Sequence, residues 1–421
     1  MIYRFVNLFI RLSSLALKFL LLISLAKLLE PSAVATYGLL LASVTFLGGI
    51  AGLGFSKYSN REIARSDTTT RPRLIKDQYV FFTLSFLAVA PISSIAFALN
   101  LIPTSLLFWF YGIALLEFLS VEHGRTLVAL NRQVPATVTL FLRNGAWVVV
   151  VLPMLWLNPE SAGLDIVFLG WFAGALLACV YGFLVLKKKE CSATKIGSSI
   201  NWSWMRKGIL VALPLLVGTA AVKGLVTFDR IIFFNLHGED ALAIYVIFIG
   251  IANIIKVFLD SGVFVFTYPK MIKYASKSDI RNFFLTFREM AMHSILIVTT
   301  IIFFCVVSIE FLLDWIGRPQ YSNNTELFYY CLVSVLFYTI NMLFDYPVYS
   351  LYLDKVIIYS NVLGLVVFLL SVFPIADYLG YSSVPVAMTL GYIVMGLTKL
   401  FALETFGWRN RVWHKSPNGS E

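Results

Sequence analysis

Apolar runs of about 20 residues recur along the whole chain, and no other feature constrains its fold as strongly. A helix of that length without clustered charge matches the ~30 Å hydrocarbon core of a bilayer. Twelve such runs stand at roughly 6–28, 33–55, 78–99, 103–122, 136–157, 165–186, 210–235, 241–268, 289–313, 327–350, 356–376 and 383–405. Their weight shows in a hydrophobic fraction of 59% and a mean hydropathy of +0.82. The sequence therefore predicts an all-α polytopic membrane protein with about 12 transmembrane helices. No soluble domain fits between runs whose longest connections are only about 20 residues.

The basic residues orient these spans. The loops near 56–77, 123–135, 187–207, 269–288 and 354–355, with the two tails, hold about 24 of the 33 Lys and Arg. The opposite loops hold only Arg318. By the positive-inside rule both termini are expected in the cytoplasm. The net charge of +10 comes from these loops, which suits anionic lipid headgroups rather than nucleic acid. Cys179, Cys191, Cys305 and Cys331 and the four His have neither disulfide nor metal-ligand spacing. The first run is too long for a signal peptide and contains Lys18, so it is expected to stay as a span.

The basic stretch at 187–195 is the one candidate linker, and it divides the spans six and six. The expected organisation is an N-terminal six-helix lobe (1–190), a linker (191–207), a C-terminal six-helix lobe (208–406) and a cytoplasmic tail (407–421). Two halves that share an orientation imply a symmetry axis along the membrane normal. A faint echo agrees: Ala33-x-Ala35-x-Tyr37 follows the first span and Ala241-x-Ala243-x-Tyr245 the seventh. Gly48-x-x-x-Gly52 and Gly170-x-x-x-Gly174 read as close helix contacts. Pro214, with Gly218 and Gly224, marks either a hinge or an ordinary irregularity in span seven.

Charges inside spans carry the functional signal, since each costs ~2.5–3.5 kcal/mol to insert. Arg4, Asn7, Arg11, Ser14 and Lys18 recur at steps of three and four, so they share one face of the first helix. That face is expected to line a wet cavity; Arg4, and equally Arg11, alternatively anchors the interface. Span seven carries Lys223, Asp229 and Arg230, and span eight carries Lys256 and Asp260. Lys256 and Asp260 are one turn apart and able to pair; the rival reading is an ion-pair network locking the two spans. Glu117 and Arg143 lie at similar depths and read better as a structural salt bridge. Asp345, Lys399, Glu404, Glu310 and Asp314 are near span ends, within snorkelling reach of the interface, and receive no function. Arg11, Lys18, Arg143, Lys223, Arg230 and Lys256 outnumber Glu117, Asp229 and Asp260, so the expected ligand is an anion such as pyrophosphate. There is no Walker motif, no G-x-G-x-x-G and no zinc spacing. No cofactor is expected, and an ion gradient, membrane potential or substrate consumption would have to drive any transport.

Three stretches carry a family resemblance: KLLEPSAVATYGLLLAS (27–43) running to GLGFSKYSNREIAR (52–65), LNRQVPATVTLFLRNGAW (130–147), and FDRIIFFNLHGEDALAIY (228–245). They resemble the polysaccharide flippases of the multidrug/oligosaccharidyl-lipid/polysaccharide exporter superfamily, close to the Wzx O-antigen type. The resemblance implies two six-helix lobes around a central cavity that opens alternately to each leaflet. It implies an undecaprenyl-diphosphate-linked oligosaccharide as cargo, a polysaccharide polymerase as candidate partner, and H+ or Na+ coupling with Asp229 and Asp260 as candidates. Related lipid II flippases place cations on spans one, two and eight; Arg11 or Lys18 and Lys256 match the first and last, while span two has none before Lys57. Their extra helix pair has no counterpart in this sequence. Two other readings are an ion-coupled drug or metabolite exporter of the same superfamily and a membrane polymerase or ligase. The cation excess disfavours the first and the short outer loops the second.

Overall fold

The computed structural model describes residues 2–99, 101–158, 163–190 and 199–407, and among them helices and turns account for the regular structure. In chain order the helices are α1 (Ile2–Leu28), α2 (Pro31–Ile50), α3 (Ser56–Arg65), α4 (Arg71–Ala98), α5 (Leu107–Ala129), α6 (Gln133–Phe141), α7 (Trp147–Leu157) and α8 (Leu164–Glu190). There follow α9 (Trp202–Ala252), α10 (Ile254–Leu259), α11 (Val265–Ser276), α12 (Ile280–Ile316), α13 (Pro319–Ser322), α14 (Thr325–Ser350), α15 (Asp354–Leu379) and α16 (Ser383–Ala402). Among the described residues, ten helical stretches are long and apolar enough to cross a membrane. Two of them, Trp202–Ser276 and Asp354–Thr405, each contain two of the spans expected from sequence.

The turns inside those two stretches are made by glycine. Gly238, at φ 82° and ψ −176°, interrupts α9 between the spans expected at 210–235 and 241–268. Only a residue without Cβ adopts such angles readily. Gly380, at φ 50°, does the same between α15 and α16. Pro214, by contrast, lies within helical backbone: Gly238 is the one non-helical residue in α9. The turn between spans seven and eight thus falls at Gly238, while the boundary between the two compact units falls at Lys223/Gly224 within span seven.

Two span boundaries differ from expectation. The second span stops at Ile50, because Leu53 (φ 47°) and Gly54 (φ 69°) turn the chain before α3. The third begins at Arg71 rather than 78. Hydropathy cannot register its basic first turns, which are nonetheless helical.

The chain divides into two compact units, Met1–Lys223 and Gly224–Glu421. The first half of α9 belongs to unit 1 through aromatic packing. Trp204 meets Phe55 edge-on at 5.2 Å and Tyr58 at 5.8 Å, and Phe55 in turn lies 4.1 Å from Phe81. Lipid tails are as apolar as leucine, so such units hold together by van der Waals fit and internal polar bonds rather than by hydrophobic exclusion. Gly174 shows the fit: a Cβ there would collide with Trp147 of α7, and one at Gly170 with Val151. The Gly170/Gly174 expectation is met. At Gly48 nothing approaches, whereas a Cβ at Gly52 would stand 3.0 Å from Phe118. In unit 2, α15 packs most extensively on α16, where Gly364 and Gly391 let the backbones approach.

Candidate functional site

Unit 1 contains a cavity of about 710 Å³. Five basic side chains line it: Arg11 of α1, Lys57 and Arg61 of α3, Arg125 of α5, and Arg143 in a π-helical turn (Leu142–Ala146) between α6 and α7. Asn60, Ser56, Ser120, Thr139 and Thr219 add neutral hydrogen-bonding groups, and no carboxylate is among the lining residues. The sequence builds this wall locally. Lys57, Asn60, Arg61 and Ala64 all line the cavity, and their steps of three, four and seven from Lys57 put them on one face of α3. The amide of Gln78 donates to Ser59 Oγ at 2.8 Å and Asn60 Oδ1 at 3.1 Å. Thr126 Oγ donates to the same Asn60 oxygen at 3.2 Å. Those bonds tie α3 to α4 and α5.

Two carboxylates sit behind the wall. Glu122, 1% exposed, takes a hydrogen bond from Arg125 Nη1, whose side chain is 54% exposed. Glu117 Oε2 lies 3.3 Å from Arg143 Nε, and its Oε1 accepts from Trp171 Nε1 at 2.8 Å. Arg143 Nε itself has no aligned hydrogen bond, and Arg11 Nε is buried without one. These guanidinium groups thus retain donor capacity, suited to a tetrahedral oxyanion.

The other expected cavity cations are distributed differently. Lys18 is absent from the lining; it lies within electrostatic reach of Glu117 and Arg143. Arg4 and Asn7 have side chains outside the described residues, so the five-residue stripe is traceable from Arg11 onward. Lys223 runs its stem over Gly49, with Cγ 3.3 Å from where a Cβ would be.

Three charged groups among the described residues of unit 2 bear on the expectations from sequence. In α9, Asp229 is wholly buried. Its Oδ1 accepts from the Arg230 backbone N–H at 2.7 Å, and its Oδ2 accepts from Tyr245 Oη at 2.8 Å. Arg230 Nη1 donates to the Val226 carbonyl at 2.8 Å and stands 3.5 Å from Asp229 Oδ1. This is the interlocking network weighed as the rival to a cavity role. Tyr245 also stacks on Phe233 at 4.5 Å, which joins the two halves of α9 across Gly238. The echo motif gains meaning here. Tyr37 faces Trp171 at 6.2 Å, and the Trp171 indole donates to Glu117, so one echoed tyrosine is linked to a carboxylate of its unit through a tryptophan and the other is bonded to one directly.

Lys256 and Asp260 form no ion pair with each other. The Lys256 ammonium lies 5.1 Å over the Tyr338 ring, and a π-helical turn, Asp260–Phe264, begins at the acid. The backbone from Lys256 to Asp260 is regular helix, with the Asp260 N–H bonded to the Lys256 carbonyl, so the spacing permits a pair and the ammonium is directed to Tyr338 instead. Asp260 acts on Lys256 only at longer range.

The third group overturns the snorkelling expectation for Lys399. Its ammonium is 0% exposed, 2.6 Å from Asp345 Oδ1, and donates to Asn341 Oδ1 at 2.6 Å and Asn361 Oδ1 at 3.3 Å. Three oxygens from α14 and α15 replace the water that snorkelling would seek. Sequence position near a span end concealed this, because depth along a helix says nothing about which face is enclosed. Lys57, Arg61 and Arg125 were concealed for a related reason: they were counted as loop charges, although the spacing in α3 already marked one face.

Residues 4–275 match the family described as polysaccharide biosynthesis protein. No curated protein matches the chain. Among solved structures, an inward-facing multidrug resistance MATE family transporter of the MOP superfamily covers 96% of this chain and 100% of its own, at 12% identity and a TM-score of 0.75. An outward-facing one covers 94% and 92% at 12% identity and a TM-score of 0.64. A MATE protein in complex with MaD3S covers 95% and 94% at 14% identity and a TM-score of 0.62. These likenesses establish the fold, a two-lobed all-helical transporter architecture.

Proposed function

The chain belongs to the polysaccharide biosynthesis protein family and has the fold of the MOP superfamily transporters, and from that premise we propose that it is a flippase for lipid-linked oligosaccharide. Its cargo is an undecaprenyl-diphosphate-linked repeat unit of O-antigen or a related surface polysaccharide, moved from the cytoplasmic to the periplasmic leaflet of a bacterial inner membrane. The observation that carries the reading is the unit 1 cavity, lined by five basic side chains and by no carboxylate. Arginine forks match phosphate oxygens in two-point contacts, and a pyrophosphate offers several such oxygens. A cationic drug would meet the same wall as a barrier. The neighbouring Asn, Ser and Thr groups suit the bridging oxygens and the first sugar hydroxyls.

Alternating access supplies the movement. A ligand bound much more tightly in one facing state would stall the cycle, so the cavity holds its anion through several moderate, exposed contacts rather than one enclosed pair. Asp229 is already satisfied by Arg230 and Tyr245, which leaves Asp260 as the better candidate for H+ or Na+ coupling. A polysaccharide polymerase is the natural receiver of the product.

Lipid analysis of a strain lacking the gene tests this reading. Undecaprenyl-diphosphate oligosaccharide is expected to accumulate, shielded from an impermeant sugar-oxidising label, and to be cleared by the wild-type gene. Single units accumulating on the outer side would instead indicate a polymerase or ligase. Unchanged lipid-linked sugars would turn attention to the exporter reading.

A further inference from the structure

A second cavity, of about 320 Å³, lies wholly within unit 2. It is lined by Tyr268 of α11, by Met342, Asp345, Tyr346 and Tyr349 of α14, and by Ile357 and Asn361 of α15. That volume is at the small end of the ~300–1,000 Å³ range of ligand sites, enough for a ring-sized group. Neither the charged-span pattern nor the family match points to it.

Its chemistry is specific. Three tyrosine rings converge, Tyr268 on Tyr346 at 5.2 Å and Tyr268 on Tyr349 at 5.9 Å. Phe264 backs Tyr346 at 4.5 Å. Asp345 and Asn361 face the cavity from its wall, with 33% of the Asp345 side chain exposed. Behind both lies Lys399, fully enclosed, its ammonium held between Asp345 Oδ1, Asn341 and Asn361. Lysine fixes the orientation of the carboxylate and the amide and cancels the carboxylate's charge. The cavity therefore offers hydrogen-bond acceptors and donors, aromatic faces, and no net charge.

An aromatic box around a free carboxylate would select an organic cation. Here a buried ammonium already occupies that carboxylate, so a second cation gains little. An anion is disfavoured by the carboxylate and by the negative ring faces. The ligand that matches is a neutral hydroxylated ring: its weakly positive C–H face suits a tyrosine, and its hydroxyls both donate and accept.

We propose that the Tyr268–Tyr346–Tyr349 cavity, with Asp345 and Asn361, is a subsite for an uncharged sugar ring of the transported glycan. The assignment rests on the flippase reading and adds to it a glycan-recognising element separate from the phosphate-binding one.

Native mass spectrometry on the full-length protein in detergent tests it with two probes, undecaprenyl diphosphate and undecaprenyl diphosphate bearing the source strain's repeat unit. The wild-type protein is expected to bind the glycosylated lipid at least ~10-fold more tightly, a difference of ~1.4 kcal/mol. Tyr346→Ala and Tyr349→Ala should each remove most of that preference while leaving affinity for the bare lipid unchanged. Tyr346→Phe keeps the ring and should retain most of the preference, which separates recognition from misfolding. Equal preference in wild type and both alanine variants overturns the subsite but not the flippase. So does binding of tetraphenylphosphonium that either alanine variant abolishes, since that identifies a cation box. Failure of the wild-type protein to bind either lipid overturns the flippase reading and this subsite with it.

Discussion

Arg143 Nε lies 3.3 Å from Glu117 Oε2, joining a π-helical turn to the middle of α5 behind the wall of the unit 1 cavity. Arg143 lines that cavity, whereas Glu117 does not. One ion pair thus holds a cation at the cavity surface from the protein side. The turn that carries Arg143 has an i→i+5 pattern, a geometry that recurs at functional positions in helices. Trp171, by donating to the other oxygen of Glu117 at 2.8 Å, fixes the acid in place.

Glu117→Gln should be strongly destabilising, because it leaves Arg143 and the nearby Lys18 without a counter-charge. Removing one partner of an enclosed pair costs about 3–5 kcal/mol. Thermal unfolding in detergent is expected to show a large drop in Tm. Adding Arg143→Gln should recover part of it, with a coupling energy in the double-mutant cycle. Additive effects would mean that the pair contributes nothing.

Arg61 is exposed at the cavity mouth, so Arg61→Ala should weaken anion binding without harming the fold. A hydrogen bond to a charged group is worth about 1.5–3 kcal/mol, or roughly 10- to 150-fold in affinity. Undecaprenyl diphosphate binding should fall by that order and become less dependent on salt. An unchanged affinity would remove α3 from the binding wall.

Tyr245→Phe preserves the stack on Phe233 but leaves Asp229 Oδ2 without its donor. An unsatisfied buried polar atom costs about 1–3 kcal/mol, and the acid here is already 0% exposed. Tm should fall accordingly, and transport should fall only in proportion to protein level. Loss of ion coupling at normal Tm would give Asp229 a role beyond structure.

Lys399→Met distinguishes enclosure from snorkelling. A snorkelling lysine can be replaced with little effect. An enclosed one leaves Asp345, Asn341 and Asn361 facing a methyl group, with a destabilisation of about 3–5 kcal/mol. Combining Lys399→Met with Asp345→Asn should restore part of that stability. A neutral Lys399→Met would contradict the enclosure.

Asp279 caps α12, its carboxylate accepting from the Asn282 backbone N–H at 3.1 Å and from the Asn282 amide at 2.7 Å. Those bonds, with Arg281 and Lys277 nearby, hold its carboxyl below the ordinary value of 3.8. A lowered folded-state value means the contribution is present above 3.8 and is lost as pH falls through the lower folded value. Asp279→Asn should keep the cap, since asparagine caps as well as aspartate, and should flatten the acid limb of a stability profile below about pH 4.

Much of the fold was legible because hydropathy and charge record the environment of a whole span. Each of the twelve runs is helical over most of its length, and the two longest helical stretches resolve into pairs at Gly238 and Gly380. The Glu117–Arg143 pair was legible too, since two opposite charges at matching depths have few other ways to be satisfied in hydrocarbon. The partner of Lys256 was not legible, because the spacing of four to Asp260 is kept but Tyr338 of another helix offers the ammonium its ring.

The sequence alone determined that this chain is built of helices long and apolar enough to span a membrane many times, with charges set inside several of them. Those properties are sums over residues and need no knowledge of who faces whom. Tertiary structure decided the rest. It set Lys57, Arg61 and Arg125 into a cavity wall instead of a loop, left Lys18 out of that wall, and enclosed Lys399 among Asp345, Asn341 and Asn361. Each outcome depends on which face of one helix meets which face of another. The side-chain packing that selects that contact lies between residues far apart in the chain, such as Asn341 and Lys399, where linear order carries no record of it.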